Sequence, residues 1–136
     1  MLAFRQWTIY GGILVLVIAS MALAGCGSPR AVELGADADG TQVELEQGQA
    51  LVITLDSNPT TGYSWARDAT ETDDILALVG EPEHKSQSNL VGGGGVETLR
   101  FRAAAPGTTT LHLVYRRPWE KDVEPAATYT LQVSVR

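Results

Sequence analysis

The sequence predicts an all-β protein, an immunoglobulin-like antiparallel β-sandwich of seven or eight strands spanning residues 41–136. Three observations point there. Beyond Gly40, apolar residues recur at every second position in run after run, the period of a strand with one buried face. Glycine, proline and small polar residues separate those runs at short intervals, as turns do. No segment after Gly40 carries the spacing of a long amphipathic helix, and many short strands with frequent turns suit a two-sheet sandwich. A chain of 136 residues suggests one domain.

The first 25 residues differ from the rest. Arg5 is their only charged side chain, and residues 7–25 carry none, with Ile13-Leu14-Val15-Leu16-Val17-Ile18 as the apolar centre. A basic start followed by an apolar run reads as a signal peptide. The run ends Leu23-Ala24-Gly25-Cys26, and small residues before a cysteine resemble the bacterial lipoprotein signal. That resemblance implies cleavage before Cys26 and lipidation of it, so residues 1–25 would be lost. Cys26 is the only cysteine in the chain and has no intramolecular disulfide partner. The competing reading is an uncleaved span, because 19 uncharged residues can cross a bilayer core of ~30 Å. On the lipoprotein reading the protein is exported and lipid-anchored to a bacterial cell membrane, and two or three acyl chains hold it stably. Residues 26–40 read largely as a tether, with a short first strand near Val32-Glu33-Leu34.

The strands follow in order. Val43 and Leu45 alternate with Gln42, Glu44 and Glu46, and Gly48 closes the run. Leu51, Ile53 and Leu55 alternate with Val52 and Thr54. A third strand starts at Tyr63-Ser64-Trp65. Residues 75–79 are apolar and compatible with a strand or a short helical turn. Residues 81–88 are polar, and Pro82 disfavours a central strand there. Leu99 and Phe101 alternate with Thr98, Arg100 and Arg102; Ala105-Pro106-Gly107 then turns the chain. Leu111, Leu113 and Tyr115 form the next strand, and Tyr129, Leu131, Val133 and Val135 the last, with a long polar loop at 117–126 between them. There is no internal repeat and no Cys-Trp-Cys signature, so the architecture rests on strand count and alternation.

A parity argument places the loops. If successive strands run up and down, every second connection lies at the same end. Counting from the strand that ends near Glu46, the connections at 57–62, around 92–95 and at 117–126 share one end, provided the polar 80s region supplies a strand. The three most unusual loops are then neighbours, on a rigid scaffold where recognition is common.

Each loop has its own chemistry. Asn58-Pro59 starts a turn, Pro59 fixes its own φ, and Gly62 accepts a positive φ. Thr60 and Thr61 form a small, hydrogen-bonding tip between these constraints. Tyr63 can pack beneath the loop, and Trp65 enters the core. A purely structural turn would look similar. Gly92-Gly93-Gly94-Gly95 lacks the Gly-Lys-Ser/Thr ending of a phosphate loop; it reads either as a flexible linker or as backbone that a partner can approach closely. Arg117-Pro118-Trp119 puts two hot-spot residue types in a loop, unless the indole folds back on its own domain.

Taken together, Asn58-Pro59-Thr60-Thr61-Gly62-Tyr63, Gly92 to Gly95, and Arg117-Pro118-Trp119 resemble, in order and spacing, the motifs of the chagasin family of cysteine-peptidase inhibitors. The resemblance covers about residues 40–136. The first motif matches at every position, the third matches as Arg-Pro-Trp, and the four glycines fit the second with an ambiguous register. The resemblance implies an immunoglobulin-like fold and reversible, non-covalent inhibition of papain-like cysteine peptidases by a three-loop wedge. It implies that the loop carrying Thr60 enters the cleft centrally beside the catalytic cysteine. The other two loops would grip the walls, with Trp119 beside the catalytic histidine. The expected peptidase-binding residues are therefore Asn58, Pro59, Thr60, Thr61, Gly62, Tyr63, Gly92, Gly93, Gly94, Gly95, Arg117, Pro118 and Trp119. An alternative from another class is a cell-envelope binding or assembly module using the same loops for a non-peptidase partner.

Other classes fit less well. The formal net charge is −6 and only Arg116-Arg117 cluster, which disfavours nucleic-acid binding. No Gly-x-Ser-x-Gly elbow is present, and the two histidines, His84 and His112, lie far apart in polar positions and with Cys26 make a poor zinc set. Asp73-Asp74 and the acids at 120–124 read as solvated charges. No catalytic residue, metal or cofactor is expected, and the expected state is a monomer.

Overall fold

In a computed structural model the described residues are 27–69 and 74–136; the signal segment and Cys26 lie outside them. The described chain forms nine strands: β1 (Val32–Leu34), β2 (Gln42–Leu45), β3 (Ala50–Ser57), β4 (Ser64–Arg67), β5 (Leu76–Leu78), β6 (Glu83–Ser86), β7 (Gly95–Ala103), β8 (Gly107–Arg116) and β9 (Ala127–Val135). They build two sheets. One has the order β1-β3-β7-β5 with β6 also on β7, and the other has the order β2-β9-β8-β4.

Alternation in the sequence becomes the two faces of each sheet. Leu51, Ile53 and Leu55 on β3 and Leu99, Phe101 and Ala103 on β7 are buried. Leu111 and Leu113 on β8, and Tyr129, Leu131, Val133 and Val135 on β9, meet them from the other sheet in one core. Each such Leu, Ile, Val or Phe contributes about 1.5–3 kcal/mol on burial. Trp65 joins this core from β4.

Two pairings differ from the expected antiparallel arrangement. β1 pairs with β3 in parallel, Val32 opposite Leu51, and β2 pairs with β9 in parallel, Gln42 opposite Gln132. The two short N-terminal strands thus close one edge of each sheet, so both sheets are mixed. The remaining pairings are antiparallel.

Residues 75–79 resolve as strand: Leu76 pairs with Ala103 and Leu78 with Phe101. β6 continues along the same edge of β7, Glu83 opposite Thr98 and Ser86 opposite Gly95. Between β5 and β6, residues 79–82 face only Leu99 and Arg100, so the edge strand bulges there, with Gly80 at φ +71° and Pro82 within the bulge. Counted by position, β5 and β6 are one interrupted strand.

Residues 32–40 belong to the sandwich rather than to the tether. Besides β1, Ala38 is buried. The Asp39 carboxyl accepts the Thr130 N–H at 2.7 Å, and the Tyr129 hydroxyl donates to the Gly35 carbonyl at 3.3 Å.

Candidate functional site

β3 ends, β7 begins, β8 ends and β9 begins at one pole of the sandwich. The register shows it: Ser57 lies opposite Gly95 and Tyr115 opposite Ala127. The connections at 58–63, 87–94 and 117–126 therefore emerge side by side, as parity requires.

The central loop is coiled, not extended. Pro59–Thr61 form a single 3-10 turn with Asn58 before it and Gly62, at φ +81° and ψ 0°, after it. The Thr61 N–H donates to the Asn58 carbonyl at 3.2 Å and the Gly62 N–H to the Pro59 carbonyl at 3.0 Å. The Thr61 hydroxyl also donates to the Asn58 carbonyl, and the Thr60 hydroxyl to the Asn58 side-chain oxygen, each at 2.6 Å. Pro59, Thr60 and Thr61 are exposed. Asn58 thus organises the tip, with both threonine hydroxyls bonded back to it.

Both neighbouring loops are tied to this one. The Asn58 side-chain amide donates to the Gly92 carbonyl at 3.2 Å. Nε of Arg117 donates to the Thr61 carbonyl at 2.9 Å, and its guanidinium carbon lies 4.6 Å from the centroid of the Tyr63 ring, a cation–π distance. Glu120 accepts from the same guanidinium at 3.2 Å. Arg117 is therefore a brace between two loops. Trp119 is 69% exposed and its indole edge faces Gly62.

The glycine run divides in two. Gly92 and Gly94 are exposed, Gly92 has φ +80°, and the Gly93 N–H closes a turn on the Leu90 carbonyl at 3.0 Å. Gly95 is buried at the start of β7, where a Cβ would collide with the Lys85 carbonyl. Gly95 is thus placed beneath the loop, and its lack of a side chain serves close strand packing. Exposed backbone is presented by the preceding glycines.

Beneath the tip lies an aromatic stack. The Tyr115 ring is 5.3 Å from Tyr63 and 5.0 Å from Trp65 between centroids, and its hydroxyl accepts the Asn58 N–H at 2.8 Å. Trp65 donates its indole N–H to the Asp56 carbonyl at 2.9 Å. Tyr63 packs below the tip and Trp65 in the core, as their positions in the sequence suggested. Tyr115, Ser57 and Glu97 were not among the expected site residues. Ser57 and Glu97 continue the buried parities of Leu51-Ile53-Leu55 and Leu99-Phe101, so two polar residues in apolar phase were the signal to follow. The histidines stand apart from this end's chemistry: His84 is exposed on β6, and His112 on β8 bonds Thr130 at 2.9 Å.

Comparison with known proteins agrees with this geometry. The family described as Chagasin family peptidase inhibitor I42 matches residues 44–133. Amoebiasin-1 of Entamoeba histolytica is 31% identical over 105 residues, covering 77% of this chain and all of that protein. Chagasin of Trypanosoma cruzi is 32% identical over 84 residues, 60% of this chain and 76% of its own. Among solved structures, the crystal structure of the cysteine protease inhibitor EhICP2 from Entamoeba histolytica superposes with a TM-score of 0.65 at 27% identity, covering 79% of this chain and 96% of the other.

Proposed function

This chain belongs to the chagasin family of peptidase inhibitors, and from that premise we propose that it inhibits papain-like cysteine peptidases reversibly and without covalent chemistry. It is an inhibitor and not an enzyme. Family membership does not favour the alternative of an envelope assembly module.

The observation that carries the mechanism is the locking of three loops into one body. Asn58 ties the tip to Gly92, and Arg117 ties it to the third loop through Thr61. A wedge already ordered before binding loses little conformational entropy on entering a cleft. Asn58 to Tyr63, Gly92 to Gly94, and Arg117 to Trp119 form the binding end in this reading, with Gly95 as its support.

Resistance to cleavage follows from the same bonds. A thiol peptidase attacks a carbonyl held between its thiolate and its oxyanion donors. The carbonyls of Asn58, Pro59 and Thr61 already accept hydrogen bonds from the Thr61 N–H, the Gly62 N–H and Arg117. The tip is also coiled, so it does not lie in the groove as an extended substrate. It occludes the site and dissociates intact.

The proposal extends to location: the protein is exported from a bacterial cell and anchored through lipid on Cys26. The direction of the chain supports it. β1 starts beside Leu51, at the opposite end of β3 from Ser57, and the Gln49 side chain holds the Arg30 carbonyl at 2.5 Å. The described chain thus joins the sandwich from the pole opposite the loops, which suits an anchor on that side and a wedge directed away from the bilayer.

The test is titration of papain with the full chain in mild detergent. Stoichiometric loss of activity, recovered on dilution with the inhibitor uncut, is the expected result. A folded chain that leaves papain active at micromolar concentration would overturn the reading.

A further inference from the structure

Glu97 is a charged side chain on a buried face. Along β7 the inward residues are Gly95, Glu97, Leu99, Phe101 and Ala103, and Glu97 is only 5% exposed. A buried carboxyl group is costly unless its oxygens are bonded. Here one oxygen, Oε2, receives two donors: the Ser57 hydroxyl at 2.9 Å and the Trp65 backbone N–H at 3.2 Å.

Those donors are the two roots of the tip loop. Ser57 is the last residue of β3, in the same sheet as Glu97. Trp65 lies in β4, the edge strand of the other sheet, with no strand among the described residues on its free side to take that N–H. Glu97 therefore reaches across the core and closes both ends of residues 57–65 on one atom. Sheets packed face to face stand about 10 Å apart, so length matters: an aspartate would fall about 1.5 Å short. A leucine would fill the space and leave the Ser57 hydroxyl and the Trp65 N–H buried without a partner.

We infer that Glu97 is the positioning residue of the inhibitory tip: it touches no peptidase, and it fixes the span and angle at which Pro59, Thr60 and Thr61 are presented. This role rests on the inhibitor reading above.

The test uses the full chain in detergent as wild type, Glu97→Gln, Glu97→Asp and Ser57→Ala. Papain inhibition and hydrogen exchange at the Trp65 amide are measured where circular dichroism shows each variant folded. Glutamine keeps a carbonyl oxygen with two lone pairs, so inhibition within about threefold of wild type is expected. Aspartate should weaken inhibition about tenfold, the cost of unpaired buried donors, and speed exchange at Trp65 while core amides such as Leu131 stay protected. Unchanged inhibition by folded Glu97→Asp would overturn the role, as would equal losses for the Gln and Asp variants. Should the Asp variant not fold, Ser57→Ala decides, with a several-fold loss expected and no loss counting against it. A wild-type chain inert towards papain sinks the inhibitor reading and this role together, while exchange at Trp65 still reports whether the staple exists.

Discussion

The indole of Trp119 occupies the space beside the α-carbon of Gly62: a Cβ built there would stand 2.6 Å from Cη2 and 3.3 Å from Cζ2 of the ring. Gly62 also has φ +81°, a conformation that costs an L-residue about 1–2 kcal/mol. One glycine therefore sets both the turn of the central loop and the seat of the exposed tryptophan in the third.

Gly62→Ala should consequently do two things at once. It should lower stability by about 1–2 kcal/mol in chemical denaturation, and it should weaken papain inhibition further by pushing the indole aside. Wild-type inhibition with only the stability loss would show that the seat of Trp119 is unimportant.

Trp119→Ala tests the ring itself. Its exposure of 69% means that truncation costs the fold little, so the melting temperature should hardly move. Inhibition should weaken by more than about 1 kcal/mol, the mark of an interface hot spot. A collapse in melting temperature would make the ring a structural element instead.

Tyr115→Phe removes the oxygen that accepts the Asn58 N–H and keeps the ring between Tyr63 and Trp65. The loss of one partly buried hydrogen bond costs about 1 kcal/mol. The expected signature is faster amide exchange at Asn58 and several-fold weaker inhibition, with the aromatic stack intact. Unaltered exchange at Asn58 would count against the bond.

Tyr129 supplies a pH dependence. Burial, with Asp39 and Asp37 adding to it, pushes its phenol up from the ordinary 10.0 to about 12. As pH rises past 10 the unfolded chain releases this proton first and the folded chain keeps it. The stability present below pH 10 therefore falls between pH 10 and 12. Tyr129→Phe should flatten that part of the alkaline limb in a denaturation series, at the expense of the bond to Gly35. An unchanged alkaline slope would refute it.

On the proposed lipid anchor, Cys26→Ser should move the protein from the membrane to the soluble fraction, since two or three acyl chains would be what holds it. Tight membrane association of the serine variant would instead favour an uncleaved span.

By itself the sequence determined the local rules. Alternation of Leu51-Ile53-Leu55, Leu99-Phe101 and Leu111-Leu113 settled which residues face inward, because a strand's period is two wherever it lies. Asn58-Pro59 and Gly62 settled a stiff turn, because proline fixes its own φ and glycine takes a positive φ without strain. Parity of strands even placed the three loops at one pole.

The tertiary structure decided everything that depends on partners far away in the chain. Nothing near Glu97 in the sequence says that Ser57 and Trp65 will meet its carboxyl group, and nothing near Arg117 names Thr61 as its acceptor. Residues 35–40 looked like a tether because they are all Gly, Ala and Asp, yet Ala38 is buried and the Asp39 carboxyl takes the Thr130 N–H, which draws them onto the sandwich. A hydrogen-bond partner is chosen by three-dimensional proximity and by which buried donors remain unpaired, and neither exists until both sheets have closed over the core.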